Sequence, residues 1–253
     1  MTSTFTPHRP TQRICDILAL ISSKQGTGLS LSDISNKLNC PKSTLSPVLR
    51  TLSMNHILLY DEAKMLYYIG SKTYEVGTSY LQRASQSELI LDIMKDVVNN
   101  CSESCHFAEL QGSEILYLYK VDSPQSIRMF SAPGKTLPAN ATALGKALLS
   151  SYSKDALINL FNGNLPKLTK NTICDFDVLY DQLQRIKQTN FAYECEENSE
   201  YIRCIAVPII KDGVPYRALS VAIPTFRYSP DLAKKIETCL QEAKQRIESL
   251  FLL

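Results

Sequence analysis

Lys42, Ser43, Thr44, Ser46 and Arg50 bring two cations and three hydroxyls together within nine residues. Leu45, Val48, Leu49 and Leu52 are threaded through them at i, i+3, i+4 and i+7. A helix over this stretch puts the apolar set on one side and the cationic, hydroxyl-bearing set on the other. Lys42 and Arg50 suit phosphate oxygens, and the hydroxyls suit backbone or base edges, so the outward face fits a nucleic acid. The same residues also make an ordinary solvated face, so their surroundings must decide. Three other constellations are weaker. Cys101, Cys105 and His106 suggest metal ligation, but no fourth ligand is evident, and Cys105 and His106 point to opposite faces of a strand. Glu194, Glu196 and Glu197 read as a catalytic carboxylate set or as a solvated acidic loop. His8 and His56 have no serine or acid at triad spacing, and Gly134-Lys135 lacks a P-loop frame. No metal and no cofactor are expected.

The elements around the first constellation favour its nucleic-acid reading. Ile14, Ile17, Leu18 and Ile21 form one apolar helical stripe, which Gly26 and Gly28 end. Ser30 is placed to cap a second short helix, with Asp33 as the capping-box acid. This helix buries Leu31, Ile34 and Leu38 and ends near Asn39. Pro41 suits the first turn of the third helix. Ile57–Tyr60 and Met65–Ile69 then flank the polar turn Asp61-Glu62-Ala63-Lys64, a hairpin signal. Three helices followed by a hairpin describe a winged helix-turn-helix, in which the third helix enters a major groove and Lys64 on the wing reaches the flanking backbone. Residues 1–85 hold nine basic and five acidic side chains, a net of +4, while the remainder is −2. A mildly basic first third agrees with nucleic-acid contact at that end.

At 253 residues the chain suits two unequal domains. We read 1–70 as the winged helix-turn-helix and 71–86 as a linker helix, with a break near Ala84-Ser85-Gln86-Ser87. Residues 87–253 form the second domain. It alternates strand-like runs (Ser104–Leu110, Ile115–Val121, Ser126–Phe130, Phe191–Cys195, Ile202–Ile210, Tyr216–Ile223) with helical patterns at Ala143–Ser150, Lys154–Phe161, Phe176–Gln188 and 230–251. Asp212-Gly213 is a hairpin turn, and Glu109–Glu114 resembles one. The expectation is α+β, a mostly antiparallel sheet with helices packed on it. No apolar run approaches the roughly 20 residues that span a bilayer, and Met1–Pro10 is polar, so a cytoplasmic chain without membrane contact is expected. The eight cysteines are irregularly spaced with no CxxC, which fits reduced thiols.

Three stretches stand out as motifs. The first runs from Gly28-Leu29-Ser30-Leu31-Ser32-Asp33-Ile34 through Pro41-Lys42-Ser43-Thr44-Leu45 to Thr51-Leu52. The second is Leu137-Pro138-Ala139-Asn140-Ala141-Thr142-Ala143-Leu144-Gly145-Lys146-Ala147-Leu148-Leu149. The third joins Glu196-Glu197, Arg203-Cys204-Ile205-Ala206-Val207-Pro208 and Ala218-Leu219-Ser220-Val221. Together these stretches resemble the IclR family of transcriptional regulators. The chain departs from the family pattern at Pro47, where arginine is usual, at Asn140 for histidine, at His56 and Tyr201 for glycine, and at Ala222 for serine.

The resemblance implies a second domain similar to GAF and PAS sensors, homo-oligomers built from dimers (dimer or tetramer), and a pocket for a small organic acid or sugar acid. The implied pocket positions are Ala143, Leu144, Glu194, Ile202, Cys204, Ser220 and Ala222. Thr142 can cap the helix that starts there, whose free N–H groups would meet a carboxylate. Glu194 would either accept a ligand hydroxyl or repel a second carboxylate. The implied partner is double-stranded, palindromic operator DNA, met by Ser30, Lys42, Ser43, Thr44, Ser46, Arg50 and Lys64. Against this regulator stands an enzyme using the second-domain pocket, for which no nucleophile and base are arranged in the sequence.

Overall fold

A computed structural model describes residues 6–24, 26–82, 85–129 and 131–251. The chain forms two compact units, Met1–Ala84 and Ser85–Leu253.

In the first unit α1 (Arg9–Ser22) carries Pro10 in its opening turn and buries Ile17 and Ile21. The short α2 (Leu31–Lys37) opens with the expected capping box. The Asp33 N–H donates to Ser30 Oγ at 3.1 Å, and the Ser30 N–H donates to Asp33 Oδ2 at 3.0 Å. These bonds hold the Asp33 carboxyl below the usual carboxylate range. α3 (Lys42–Met54) buries Leu45, Leu49 and Leu52. Pro41 sits just before the first turn rather than inside it. β1 (Leu58–Asp61) and β2 (Leu66–Ile69) pair antiparallel as a wing. Leu29 and Tyr67 exchange both backbone hydrogen bonds, adding a third short rung. One core joins Ile17, Ile34, Leu45, Leu49 and Leu58. α4 (Ser71–Gln82) follows.

The second unit opens with α5 (Ser85–Cys101). Of the expected break near Ala84–Ser87, the part at 85–87 does not form. Ser85, Gln86 and Ser87 are already helical, as serines at a helix start often are, and Ala84 lies outside the described residues. The remaining elements are β3 (Ser104–Gln111), β4 (Glu114–Val121), β5 (Thr136–Pro138), α6 (Ala143–Leu149), α7 (Lys154–Leu160), α8 (Phe176–Thr189), β6 (Ala192–Cys195), β7 (Ile202–Lys211), β8 (Val214–Pro224) and α9 (Pro230–Ser249). The six strands form one sheet in the order β5-β4-β3-β8-β7-β6, with every neighbouring pair antiparallel. Asp212 and Gly213, at φ 52° and 80°, make the expected tight hairpin turn.

The expected strand Ser126–Phe130 does not form. Residues 126–129 belong to a loop, and Phe130 lies outside the described residues. The physical reason lies in the partners of the backbone carbonyls. The Ile127 carbonyl accepts from Arg227 Nη2 at 2.9 Å, and the Gln125 carbonyl accepts from Arg128 Nη1 at 3.4 Å, so side chains take the place of a ladder. The sheet gains the short β5 instead.

Alternation along the strands separates two cores. Cys105, Phe107, Ile205, Val207, Leu219 and Val221 pack on α5 and α9. The opposite face is built of small side chains, among them Ala108, Ala206 and Ala218, and packs on α6 and α8. Small residues let α6 approach the sheet closely. Gly145 serves the same end, because a Cβ there would meet the Ala139 carbonyl oxygen at 2.1 Å.

Candidate DNA interface and ligand cavity

The α3 helix presents the side chains that the sequence placed outward. Lys42, Ser43, Ser46 and Arg50 are exposed, Thr44 is half-buried, and Leu45 and Leu49 are fully buried beneath them. Pro41 offers no side-chain cap, so the Lys42 and Ser43 N–H groups remain free to meet phosphate oxygens, while those of Thr44 and Leu45 donate to the Pro41 carbonyl at 3.0 and 3.1 Å. Lys64 projects from the wing, 67% exposed, and pairs with Asp61 at 3.3 Å. Such an exposed pair is worth little and yields readily to a phosphate. Ser30 is placed differently. Its hydroxyl accepts from the Asp33 N–H and donates to Asp33 Oδ2 at 2.6 Å, so its first task is capping α2.

In the second unit a narrow cavity of about 10 Å³, room for about one water, lies between the N-terminal end of α6 and the small-residue face of the sheet. Thr142, Ala143, Leu144, Glu194, Cys204 and Ser220 line it, all named by the sequence. Ile202 and Ala222 do not line it. Ala222 is paired with Cys204 across the β7–β8 ladder and with Ser104 across β3–β8. Four further lining residues, His106, Tyr117, Met129 and Asn198, escaped the sequence reading.

The polar groups of the cavity are well defined. Thr142 Oγ1 accepts from the Gly145 N–H at 3.0 Å, which leaves the threonine O–H to donate. His106 lies directly opposite Ser220 in the β3–β8 ladder. Its Nε2 meets Ser131 Oγ at 2.7 Å, and its ring tilts against Tyr117 with centroids 5.2 Å apart. Burial, and then the nearby Lys120 cation, depress the His106 pKa to about 3, so the ring is neutral near pH 7. Glu194 Oε1 accepts the N–H groups of Glu197 at 2.5 Å and Asn198 at 3.1 Å. Burial nevertheless raises the Glu194 pKa. Burial and the neighbouring Glu194 carboxylate push the Cys204 thiol well above its ordinary value, the opposite of a reactive cysteine.

The shell behind the cavity is ionic. The fully buried Lys146 Nζ of α6 donates to Glu197 Oε1 at 2.7 Å and to Gln182 Oε1 at 3.0 Å. This ties α6 to α8 and to the loop that carries Glu197 and Asn198. Asn140 Nδ2 donates to the carbonyls of Pro166 at 3.0 Å and Ile173 at 3.1 Å, holding the turn before α6. Cys105 lies in the α5/α9 core and His106 in the cavity. Among the described residues no three His, Cys, Asp or Glu side chains converge as metal ligands. Ser131 and His106 do not make an activated pair, because a histidine with a pKa near 3 is too weak a base at pH 7.

A winged helix-turn-helix with an outward cationic face, on the same chain as a sheet domain holding a polar-lined cavity at a helix N-terminus, defines a ligand-binding transcriptional regulator. Residues 10–62 match the IclR helix-turn-helix domain, and residues 78–249 match the bacterial transcriptional regulator IclR C-terminal domain. The chain belongs to the IclR family, and the regulator reading prevails over the enzyme one. Among curated relatives, the HTH-type transcriptional regulator KdgR of Escherichia coli is 26% identical over 223 residues, covering 87% of this chain and 85% of the relative. Among solved structures, a transcriptional regulator from Alicyclobacillus acidocaldarius superposes with TM-score 0.87 at 18% identity, over 97% of this chain and all of the other. An IclR homologue from Microbacterium hydrocarbonoxydans, solved with 4-hydroxybenzoate, superposes with TM-score 0.79 at 22% identity over 94% and 97% of the two chains.

Proposed function

We propose that this protein binds a palindromic operator as a homo-oligomer, dimer or tetramer, in the cytoplasm, and that a small organic acid held beside α6 changes its affinity for that operator. In this reading Lys42 and Arg50 hold phosphates, Ser43, Thr44 and Ser46 face base edges, and Lys64 touches the flanking backbone. Ser30 adds a backbone contact only through whatever its capping bonds leave free.

The observation that carries the effector reading is the composition of the cavity wall. Thr142 and Ser220 supply hydroxyls, and the first turn of α6 supplies N–H groups at Ala143 and Leu144, a set suited to one carboxylate. The neutral His106 ring, the Tyr117 hydroxyl and Glu194 are suited to a hydroxyl or keto oxygen at the other end of the ligand. No lysine or arginine is among the lining residues. A second carboxylate would therefore be buried without a counter-charge, which is costly, and the preferred ligand is a monoacid.

A ligand shifts DNA affinity only if it binds two arrangements of the protein unequally. The test is fluorescence anisotropy of a duplex taken from upstream of the gene, titrated with protein in the presence of 4-hydroxybenzoate, pyruvate, gluconate or succinate. A monoacid changes the operator Kd by about 5-fold to 150-fold, and succinate does least. No change with any monoacid, or the largest change with succinate, contradicts the proposal.

A further inference from the structure

We propose that Arg9 and Arg13 of α1 form a second phosphate-binding strip, extending the DNA interface from the reading helix onto the first helix. The inference rests on α3 being the DNA-reading element. The two arginines stand at i and i+4 and so share one face of α1. Arg9 is exposed and Arg13 half-buried. Neither has an ion-pair or hydrogen-bond partner among the described residues. Three of this unit's five acids are committed elsewhere: Asp33 to Ser30, Asp61 to Lys64 and Glu75 to Lys72.

Both arginines line an open depression of about 450 Å³ whose opposite wall is Asn39, Cys40 and Pro41, the turn that leads directly into α3. Asp16 is the one acid on that wall, and its Oδ1 accepts from Gln12 Nε2 at 2.9 Å. The lining thus carries two cations against one carboxylate, with Lys42 immediately beyond Pro41.

Position and charge together select the occupant. When the first turn of α3 enters a major groove, the material bordering that turn is sugar-phosphate backbone. A depression with a net positive wall beside the turn fits that backbone and does not fit an apolar partner. Arginine also suits phosphate better than lysine does, because its planar fork donates two parallel bonds. Contacts of this kind position the protein without reading sequence.

The test needs no knowledge of the operator. Full-length protein is titrated onto a mixed-sequence duplex of about 30 base pairs, several times longer than one docked helix needs, between roughly 50 and 200 mM KCl. Each neutralised phosphate contributes about 0.9 to the slope of log K against log salt. Arg9→Ala/Arg13→Ala is expected to lower the slope magnitude by nearly two for each protomer on the duplex, and Arg9→Lys/Arg13→Lys to restore most of it. Arg9→Gln/Arg13→Gln, which keeps much of the aliphatic stem, repeats the alanine result if the alanine variant unfolds. The slope loss is the same on a second, unrelated duplex. An unchanged slope in the neutral variants overturns the proposal, as does a loss confined to one sequence, which means base reading. Wild-type protein without salt-dependent binding refutes instead the assignment of α3 as a DNA reader, so the two failures are distinguishable.

Discussion

Two departures from the family pattern have a backbone consequence. His56 and Tyr201, at positions where glycine is usual, take φ of 56° and 65°, the left-handed region that side chains avoid. Tyr201 is 69% exposed and contributes little packing. Tyr201→Gly should therefore stabilise the fold by up to about 1 kcal/mol, the relief of strain exceeding the entropy lost by glycine, read as a rise in Tm. His106 gives a pH signature. Its folded pKa lies below its unfolded value near 6.5, so the unfolded chain binds more protons in between. The neutral ring's contribution is complete above pH 6.5 and is lost as pH falls toward 3, by up to a factor of ten in the folding equilibrium per unit. Urea titrations of wild type and His106→Gln should differ in pH slope between 6 and 4, and parallel curves would refute burial of a neutral ring. At this scale Thr142, Glu194, Cys204 and Ser220 were legible through family motifs. His106 and Tyr117 were not, because they enter the cavity through the pairing of β3 with β4 and β8, and β8 lies more than a hundred residues along the chain.

The three DNA-domain helices and both tight hairpins were legible as elements, since 3.6-residue periodicity, the capping box and the Asp-Gly turn are local signals. The 126–130 segment misled because the Ile127 carbonyl is taken by the side chain of Arg227, a hundred residues distant. α3 also contains a local conflict. Pro47 lies inside the helix yet the helix runs on to Met54. Proline there removes the N–H that would reach the Ser43 carbonyl and crowds that turn. Pro47 is exposed, so Pro47→Ala should stabilise the first unit by about 1–3 kcal/mol and stiffen the first turn of the reading face. Thermal unfolding of wild type and variant measures the gain, and a loss of stability would show that the ring's packing outweighs the missing bond. Buried Asn140 fixes the entry to α6 by donating to two carbonyls. Asn140→Asp sets a carboxylate against those carbonyls and should cost about 2–5 kcal/mol, visible as a lowered urea midpoint.

For the molecule as a whole, periodicity and charge asymmetry were enough to divide the chain into a basic DNA-binding part and a larger sheet domain. They could not supply the cavity, which arises where the small-residue strand face meets the start of α6. Alanines alternating with large apolar residues along β7 and β8 are the signal for that close approach, and they have meaning only once the partner helix is known. The central claim is that one chain meets DNA through α3 and a ligand through the α6 cavity. Hydrogen–deuterium exchange of the full-length protein, free and saturated with upstream duplex DNA, tests it most directly. The Lys42 and Ser43 N–H groups at the start of α3 lack a backbone partner among the described residues and exchange quickly in the free protein, whereas those of Thr44 and Leu45 donate to the Pro41 carbonyl. The account predicts that DNA slows exchange across 42–46 and the 61–65 wing turn, with arginine-bearing 9–13 following. Protection confined to residues 85–251, with 42–46 unchanged, would contradict it.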